Sequence, residues 1–260
     1  GEGENKKFFK APETKISSSN LKAWNMVGVP TEGFIDSKIR NVATTRLAQL
    51  LGIEHLIAHS QSVKVKINSK YIKGILMDAA PGSDFYSFKE ISNKAIAPSL
   101  QKSLCSLELF DAICAQADRV PWNYSILYSS SGEALDLVAY DNDLSFGLKT
   151  NLKDFSLCDS FIIDNYGRLS LPYLDKDLAK RVLQVTNNHI ENALYNLLPK
   201  EYITATQKRL MAIKKAINHT ILLNKNFTIP NHKWNKKTID EELSLKKFTY
   251  LKFFYHCLNK

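Results

Sequence analysis

Residues 118–147 read DRVPWNYSILYSSSGEALDLVAYDNDLSFG, and the spacing of their oxygen-bearing side chains decides what the rest of the chain has to build. Asp118 is followed five residues later by Asn123. An apolar run, Leu135-Asp136-Leu137-Val138-Ala139-Tyr140, then delivers Asp141, with Phe146-Gly147 behind it. A phosphoryl-transfer site needs three such groups. One carboxylate faces the attacking hydroxyl, while an amide and a second carboxylate hold the metal that bridges the phosphates. Asp141 is preferred to Asp143 because it ends the apolar strand. Asp143 is left as a second ligand or a turn residue.

Composition bounds the rest. The 260 residues are 44% apolar, enough for a sizeable core, and the length fits one large or two small domains. No apolar run of about 18 residues occurs, so no membrane span is expected. The opening GEGENKKFFK is charged and is not a signal peptide; it enters a strand-like segment almost at once and reads as a truncated start. Cys105, Cys114, Cys158 and Cys257 are scattered, with no CxxC pair. That points to a reducing, cytoplasmic compartment and no structural zinc, with Cys105 and Cys114 as buried thiols. Charge is unevenly placed: residues 161–260 carry 17 Lys/Arg against 8 Asp/Glu, whereas the first 160 residues balance at 18 and 18. A basic surface attracts phosphates, anionic lipid, nucleic acid or acidic proteins, and a solvated lysine-rich helical face explains the excess equally well. No RRM, zinc-finger or helix-turn-helix signature is present, so nucleic acid is not an expected partner. No GxxxxGK[ST], HExxH or GxSxG occurs, which argues against a P-loop, a zincin or a serine hydrolase.

Along the chain, Asn5–Ala11 reads as a strand ending at Pro12, and residues 12–35 as loop. Ile39, Val42, Ala43, Leu47 and Leu50-Leu51 recur at helical spacing over Ser37–Leu51, with Gly52 as the stop. Val63–Ile67, a turn at Asn68-Ser69, and Tyr71–Met77 read as a hairpin, and Asp78–Gly82 as a connector. Residues 99–117 read as an apolar helix, followed by the Asp118 loop and two short strands around Ser129–Gly132. From about residue 173 the chain reads as helices: Leu174–Leu198, Tyr202–Leu223 and Thr238–Leu258. This is the order of an α+β, two-lobed, protein-kinase-like fold. A small sheet-rich N-lobe would span residues 1–80, and a larger, mostly helical C-lobe residues 81–260.

Four stretches resemble the atypical protein and lipid kinases, a group that includes phosphatidylinositol 3-/4-kinases, HipA-like kinases, secretory-pathway kinases and bacterial effector kinases. FFKAPE (Phe8–Glu13) is similar to their lysine-bearing strand, and NVATTRLAQLLG (Asn41–Gly52) to their small-lobe helix. KGILMDAAPG (Lys73–Gly82) is similar to their hinge. LFDAICAQADRVPWN (Leu109–Asn123) with VAYDNDLSFG (Val138–Gly147) resembles the catalytic and metal-binding segments. The resemblance implies an ATP-dependent phosphotransferase, first of all a protein Ser/Thr kinase. A phosphoinositide or small-molecule kinase, an AMP-transferase and a pseudokinase binding module are the alternatives.

It also implies roles. Asp118 would orient the substrate hydroxyl, Asn123 and Asp141 would hold Mg²⁺ or Mn²⁺, and Lys10 would neutralise phosphate. Met77, Asp78 and Ala79 would meet the adenine through their backbone. Three features depart from the family pattern. No glycine-rich loop beyond Gly1-Glu2-Gly3 precedes Lys10. Asn41 stands where many relatives have the glutamate that pairs with the lysine, leaving Glu32, Asp36 or Glu54 to substitute. Val120 and Trp122 stand where lipid kinases usually show a histidine and a small residue; Trp122 either shapes the acceptor pocket or packs the loop, and packing is the preferred reading. Lys208, Arg209, Lys214 and Lys215 are near neighbours on one predicted helix and form a candidate anion site for an inositol polyphosphate or anionic phospholipid. The same resemblance suggests a bacterial effector delivered into a host cytosol.

Overall fold

Asn68 and Ser69 both take left-handed backbone angles (φ 47° and 63°), the conformation a two-residue type I′ turn requires, and they close the first hairpin. In the computed structural model of the chain, the residues described are 6–11, 37–84, 96–116, 118–150 and 174–222. Short strands at 162–163, 169–170 and 228–229 and residues 25, 28, 87, 235 and 250 are also described. The hairpin joins β2 (Ser60–Ile67) to β3 (Lys70–Asp78), with Lys64 opposite Lys73. Strand β1 (Lys7–Lys10) adds antiparallel to the other edge of β3, pairing Phe8 with Met77 and Lys10 with Ile75, so the sheet order is β1-β3-β2. Gly74 sets how closely β1 approaches. A Cβ there would lie 2.6 Å from the Lys10 carbonyl oxygen and 2.7 Å from the Phe9 ring, distances no side chain tolerates.

Helix α1 (Ser37–Leu51) buries Val42, Ala43, Leu47, Ala48 and Leu51 at the expected spacing and stops at Gly52, whose φ of 64° is left-handed. Helix α2 (Pro98–Cys114) starts with proline in its first turn and ends on a left-handed Ala115. It is covered on nearly all sides: Leu100, Leu104, Phe110 and Ile113 are inaccessible, and Gln101, Ser106, Glu108 and Asp111 are buried with them. A helix apolar around most of its circumference must run through the interior.

A second sheet, β4 (Ser83–Asp84), β5 (Tyr124–Tyr128) and β6 (Ala134–Ala139), is antiparallel, with Tyr124 opposite Ala139. Gly82 (φ 92°) leads into it, and a Cβ there would strike the Ile126 carbonyl. Strands β7 (Ile162–Ile163) and β8 (Leu169–Ser170) pair antiparallel. Further on come β9 (Leu174–Asp175), α3 (Lys176–Gln184), α4 (Asn187–Leu194), α5 (Lys200–Leu222) and β10 (Thr228–Ile229), the last parallel to β9.

The expected single helix over Leu174–Leu198 is two helices. The chain turns extended at Val185 (ψ 127°), and Thr186 starts a new helix with reciprocal bonds: its hydroxyl accepts the His189 amide, and His189 Nδ1 accepts the Thr186 amide. A β-branched pair followed by a strong local cap outcompetes helix continuation. The expected loop over 12–35, apart from residues 25 and 28, and the Thr238–Leu258 helix, apart from Tyr250, lie outside the described residues.

One apolar core runs through α1, α2, β5, β6 and α3–α5, and a small satellite of Ala58, Met77 and Val138 lies beneath the first sheet. The fold is α+β, with small, mainly antiparallel sheets and five α-helices among the described residues. None of those helices is long and apolar enough to cross a membrane.

Candidate functional site

A cavity of about 650 Å³ opens between the edge of the first sheet and the end of β6. Phe8, Phe9, Lys10, Met77, Ala79 and Ala80 line one side of it, and Ser125, Tyr140 and Asp141 the other. Strand β1 supplies Lys10 from its last position, held in register by Ile75. Strand β6 supplies Asp141 just beyond its end, on a left-handed backbone (φ 56°, ψ 55°). An aspartate there carries a conformational cost of about 1–2 kcal/mol, which the surrounding bonds must impose. Lys10 Nζ meets Asp141 Oδ1 at 2.8 Å, with both side chains partly open to the cavity.

Asp118 and Asn123 complete the group. Asn123 Nδ2 donates to the Asp118 carbonyl oxygen at 2.6 Å and to Asp118 Oδ2 at 3.2 Å. That commits the amide nitrogen and leaves the amide oxygen as the group that can meet a cation. Gln116 bridges the pair to Asp141: its Oε1 accepts the Asp118 amide, and its Nε2 donates to the Asp141 carbonyl, both at 3.3 Å. Burial pushes the Asp118 pKa up, the Asn123 hydrogen bond opposes it, and the nearby Asp141 charge raises it further. A carboxylate so placed is a better proton acceptor than an ordinary aspartate.

The loops that carry these groups are fastened from inside. Arg119 is 4% exposed and holds Asp111 with both arms of its fork, at 2.8 and 3.1 Å. It also donates to the carbonyls of Asn123 (3.2 Å) and Tyr140 (3.0 Å) and to Asn142 Oδ1. One side chain thus ties the Asp118–Asn123 loop to the segment that presents Asp141. From α1, Asn41 Oδ1 accepts the Asn142 amide at 2.9 Å, and inaccessible Arg40 donates to the carbonyls of Ser145 and Phe146. Desolvation lowers the Arg40 pKa to about 10, and the ring of Tyr202 lies 5.3 Å from its guanidinium.

Sequence reasoning did not find these supports. The pairing of Arg119 with Asp111, eight positions earlier, follows no helix or strand period. Asn41, noted only as a missing glutamate, instead anchors the loop after β6. Of the suggested acidic substitutes, Glu32 and Asp36 lie outside the described residues, and Glu54 is exposed in a short 3₁₀ turn. The charge opposite Lys10 comes from Asp141 itself. Asp143 turns away toward Lys38, 3.6 Å distant.

Several expected positions are placed differently. Met77 and Ala79 line the main cavity, but Asp78 does not. Its carboxylate meets Lys7 at 2.6 Å and lies 3.9 Å from His59, and it lines a separate cavity of about 550 Å³ with His55 and Pro81. The amides of Asp78 and Ala79 are already bonded, to the carbonyls of His59 (2.8 Å) and Lys6 (2.9 Å). Strand pairing on both sides of β3 uses up the donors that the hinge reading assigned to adenine. Trp122 is 47% exposed, and Tyr140 Oη donates to its carbonyl at 2.8 Å.

The four basic residues of α5 do not form one anion site. Arg209 is inaccessible and donates to the carbonyls of Ile113, Gly147 and Lys149 at 2.8–2.9 Å, and desolvation lowers its pKa to about 10. Lys214 donates to the carbonyls of Leu183 and Val185 at the end of α3, where helix carbonyls need partners. Only Lys208 and Lys215 face outward. Near-adjacent positions on a helix point to different faces, so sequence clustering did not become spatial clustering.

Among the described residues no group of three or more His, Cys, Asp or Glu side chains is arranged to hold a metal by itself. The oxygens of Asn123 and Asp141 nonetheless fit a hard cation that takes its remaining ligands from phosphate and water. No protein-family model matches the chain, and no curated protein sequence matches it significantly.

Proposed function

We propose that the chain is an ATP-dependent phosphotransferase with a two-lobed, protein-kinase-like arrangement, acting on a protein hydroxyl. Sheet β1-β3-β2 with α1 forms the smaller lobe in this reading, and the β4-β5-β6 sheet with the helices the larger. The observation that carries the proposal is the convergence on one cavity of Lys10 and Asp141 at 2.8 Å, with the hydrogen-bonded Asp118–Asn123 pair tied to Asp141 through Gln116.

In this mechanism the apolar walls at Phe8, Met77 and Ala80 take the base, with hydrogen bonds to it coming from beyond the committed Ala79 amide. Lys10 exchanges its contact with Asp141 for one with phosphate oxygens, acting as a point charge. Asn123 and Asp141 would hold Mg²⁺ or Mn²⁺ through their side-chain oxygens, and the ion would supply positive charge against the developing negative charge on phosphate. Asp118, its basicity raised by burial, would orient the acceptor hydroxyl and take its proton as the bond from the hydroxyl oxygen to the γ-phosphorus forms and the bond from that phosphorus to the β,γ-bridging oxygen breaks, with ADP leaving carrying the electron pair. Trp122, one residue from Asn123 and partly exposed, is an apolar surface that a protein substrate could cover.

The test is transfer from γ-labelled ATP, with Mg²⁺ or Mn²⁺, to the protein itself and to a generic basic protein. Wild type should transfer label, and Asp118→Ala should lose at least about 100-fold in rate. Label carried over from α-labelled ATP instead would replace phosphotransfer by AMP transfer. Silence with both labels would leave a binding module.

A further inference from the structure

A second polar cavity lies on the far side of α1, where that helix packs on β2. It has a volume of about 360 Å³ and is lined by Val42, Thr45, Arg46 and Gln49 from α1, by His59, Ser60, Gln61 and Ser62 from the other side, and by Leu197. Its lining contains no carboxylate. Arg46 is exposed and has no ion-pair partner among the described residues. Ser60 is only 3% exposed, and its hydroxyl has no hydrogen-bond partner although its amide is bonded to Thr45 Oγ1 at 3.0 Å. Leaving a buried hydroxyl unpaired is unfavourable, so such a group facing a cavity is what a ligand oxygen would satisfy.

We propose that this cavity binds a small phosphate-bearing anion. An arginine, a histidine ring, serine hydroxyls and two side-chain amides supply donors around a lining without a carboxylate of its own, the nearest being Asp78, 3.9 Å from His59. That is the chemistry that recognises phosphate. Arg46 provides the charge, Gln49, Gln61 and Ser62 line the space with it, and the Ser60 hydroxyl lies sealed beneath the lining, where a small side-chain shift would let it donate to the anion. The site shares no lining residue with the Lys10–Asp141 cavity and does not depend on the phosphotransferase reading.

The probe is inorganic phosphate, titrated into the ¹⁵N-labelled full chain and followed by NMR, with chloride at equal ionic strength as the control and free phosphoserine as a second arm. Saturable shifts of the Ser60, Gln61 and Ser62 amides are expected with phosphate but not with chloride. Arg46→Gln should weaken binding at least about tenfold, the loss of one charge-assisted bond. Ser60→Ala should weaken binding severalfold while leaving the free protein as stable as wild type or more so, because it removes an unsatisfied buried hydroxyl. Lys10→Ala should leave the shifts of the Ser60, Gln61 and Ser62 amides unchanged, whatever it does to phosphate shifts around the first cavity. Tighter binding of phosphoserine would assign the site to phosphate monoesters, and equal binding to free phosphate. Absence of saturable shifts, shifts reproduced by chloride, shifts indifferent to Arg46→Gln, or shifts abolished by Lys10→Ala would each overturn the proposal.

Discussion

Two ion pairs bracket the segment that follows β6, and they are built in opposite ways. Arg119 and Asp111 have side chains 1% and 2% exposed, joined through both arms of the guanidinium fork. Tyr250 adds its hydroxyl to Asp111 Oδ2 at 3.0 Å. Lys10 and Asp141 are 24% and 44% exposed and meet through one contact. Burial alone would lower the Arg119 pKa, and the Asp111 carboxylate more than reverses it, while burial raises the Asp111 pKa against the pull of Arg119, so each group depends on the other. The first pair is a bolt, because nothing can compete for its partners without unfolding the surroundings. The second can open, because water, a cation or phosphate oxygens reach both ends. A site that must exchange ligands needs the loose pair, and it needs the bolt to keep the loose pair in place.

Breaking the bolt should have the largest effect. Arg119→Met leaves Asp111 as an unpaired buried charge and frees the carbonyls of Asn123 and Tyr140, so a loss of about 3–5 kcal/mol in unfolding free energy is expected. Urea denaturation measures it. The double variant Arg119→Met with Asp111→Leu should recover part of that loss, since removing both charges removes the desolvation cost. Single and double variants equal to wild type would mean that the network holds nothing.

The same contrast divides α5, with a smaller expected effect. Arg209→Met leaves the buried carbonyls of Ile113 and Gly147 and the half-buried one of Lys149 without their shared donor and should cost about 3 kcal/mol. Lys208→Ala and Lys215→Ala, on the outward face, should stay within about 0.5 kcal/mol. If all three variants lost similar stability, the inward assignment of Arg209 would be wrong.

Much of the scaffold was legible because local rules were strong. Asn68-Ser69 marked a turn between alternating strands, Gly52 ended α1, and the apolar run of α2 announced a buried helix. Lys10, Asp118, Asn123 and Asp141, which the fold links through contacts, could be named beforehand because each stands at an element's end or in a loop of fixed spacing. What was not legible was long-range polar pairing. Nothing in the spacing of Arg119 and Asp111, or of Asn41 and Asn142, signals contact, because side-chain hydrogen bonds across elements have no sequence period. The same limit misread Arg209 and Lys214: composition reports charge, but only packing decides whether a guanidinium faces water or a row of carbonyls. The break at Val185-Thr186 was readable in principle, since a threonine cap stood there, but the apolar spacing on either side masked it.

Opening the loose pair should affect stability less than either change above, and activity much more. Lys10→Met should alter unfolding free energy by no more than about 1 kcal/mol, as expected for a half-exposed pair. Under the phosphotransferase reading it should lower label transfer by at least about 100-fold through lost charge stabilisation of phosphate. A stability loss as large as that of Arg119→Met would abolish the distinction between bolt and loose pair.

The smallest stability effect, and the one with a reversed sign, belongs to Asp118. Its folded-state pKa is raised, mainly by burial and also by Asp141, so the folded protein resists ionising it more than the unfolded chain does. Its contribution is therefore intact at acid pH and is lost as pH rises through the raised value. Asp118→Asn keeps an oxygen for the Asn123 amide but carries no charge. Its Tm should equal or exceed that of wild type, and the difference should grow from acid to neutral pH. Label transfer should vanish over the same range, while wild-type transfer should decline on the acid side at a higher pH than an aspartate of pKa about 3.9 would give. A Tm difference that is flat, or that shrinks as pH rises, would show that Asp118 is not held against its charge. The loose half of the comparison would then lose its proton acceptor.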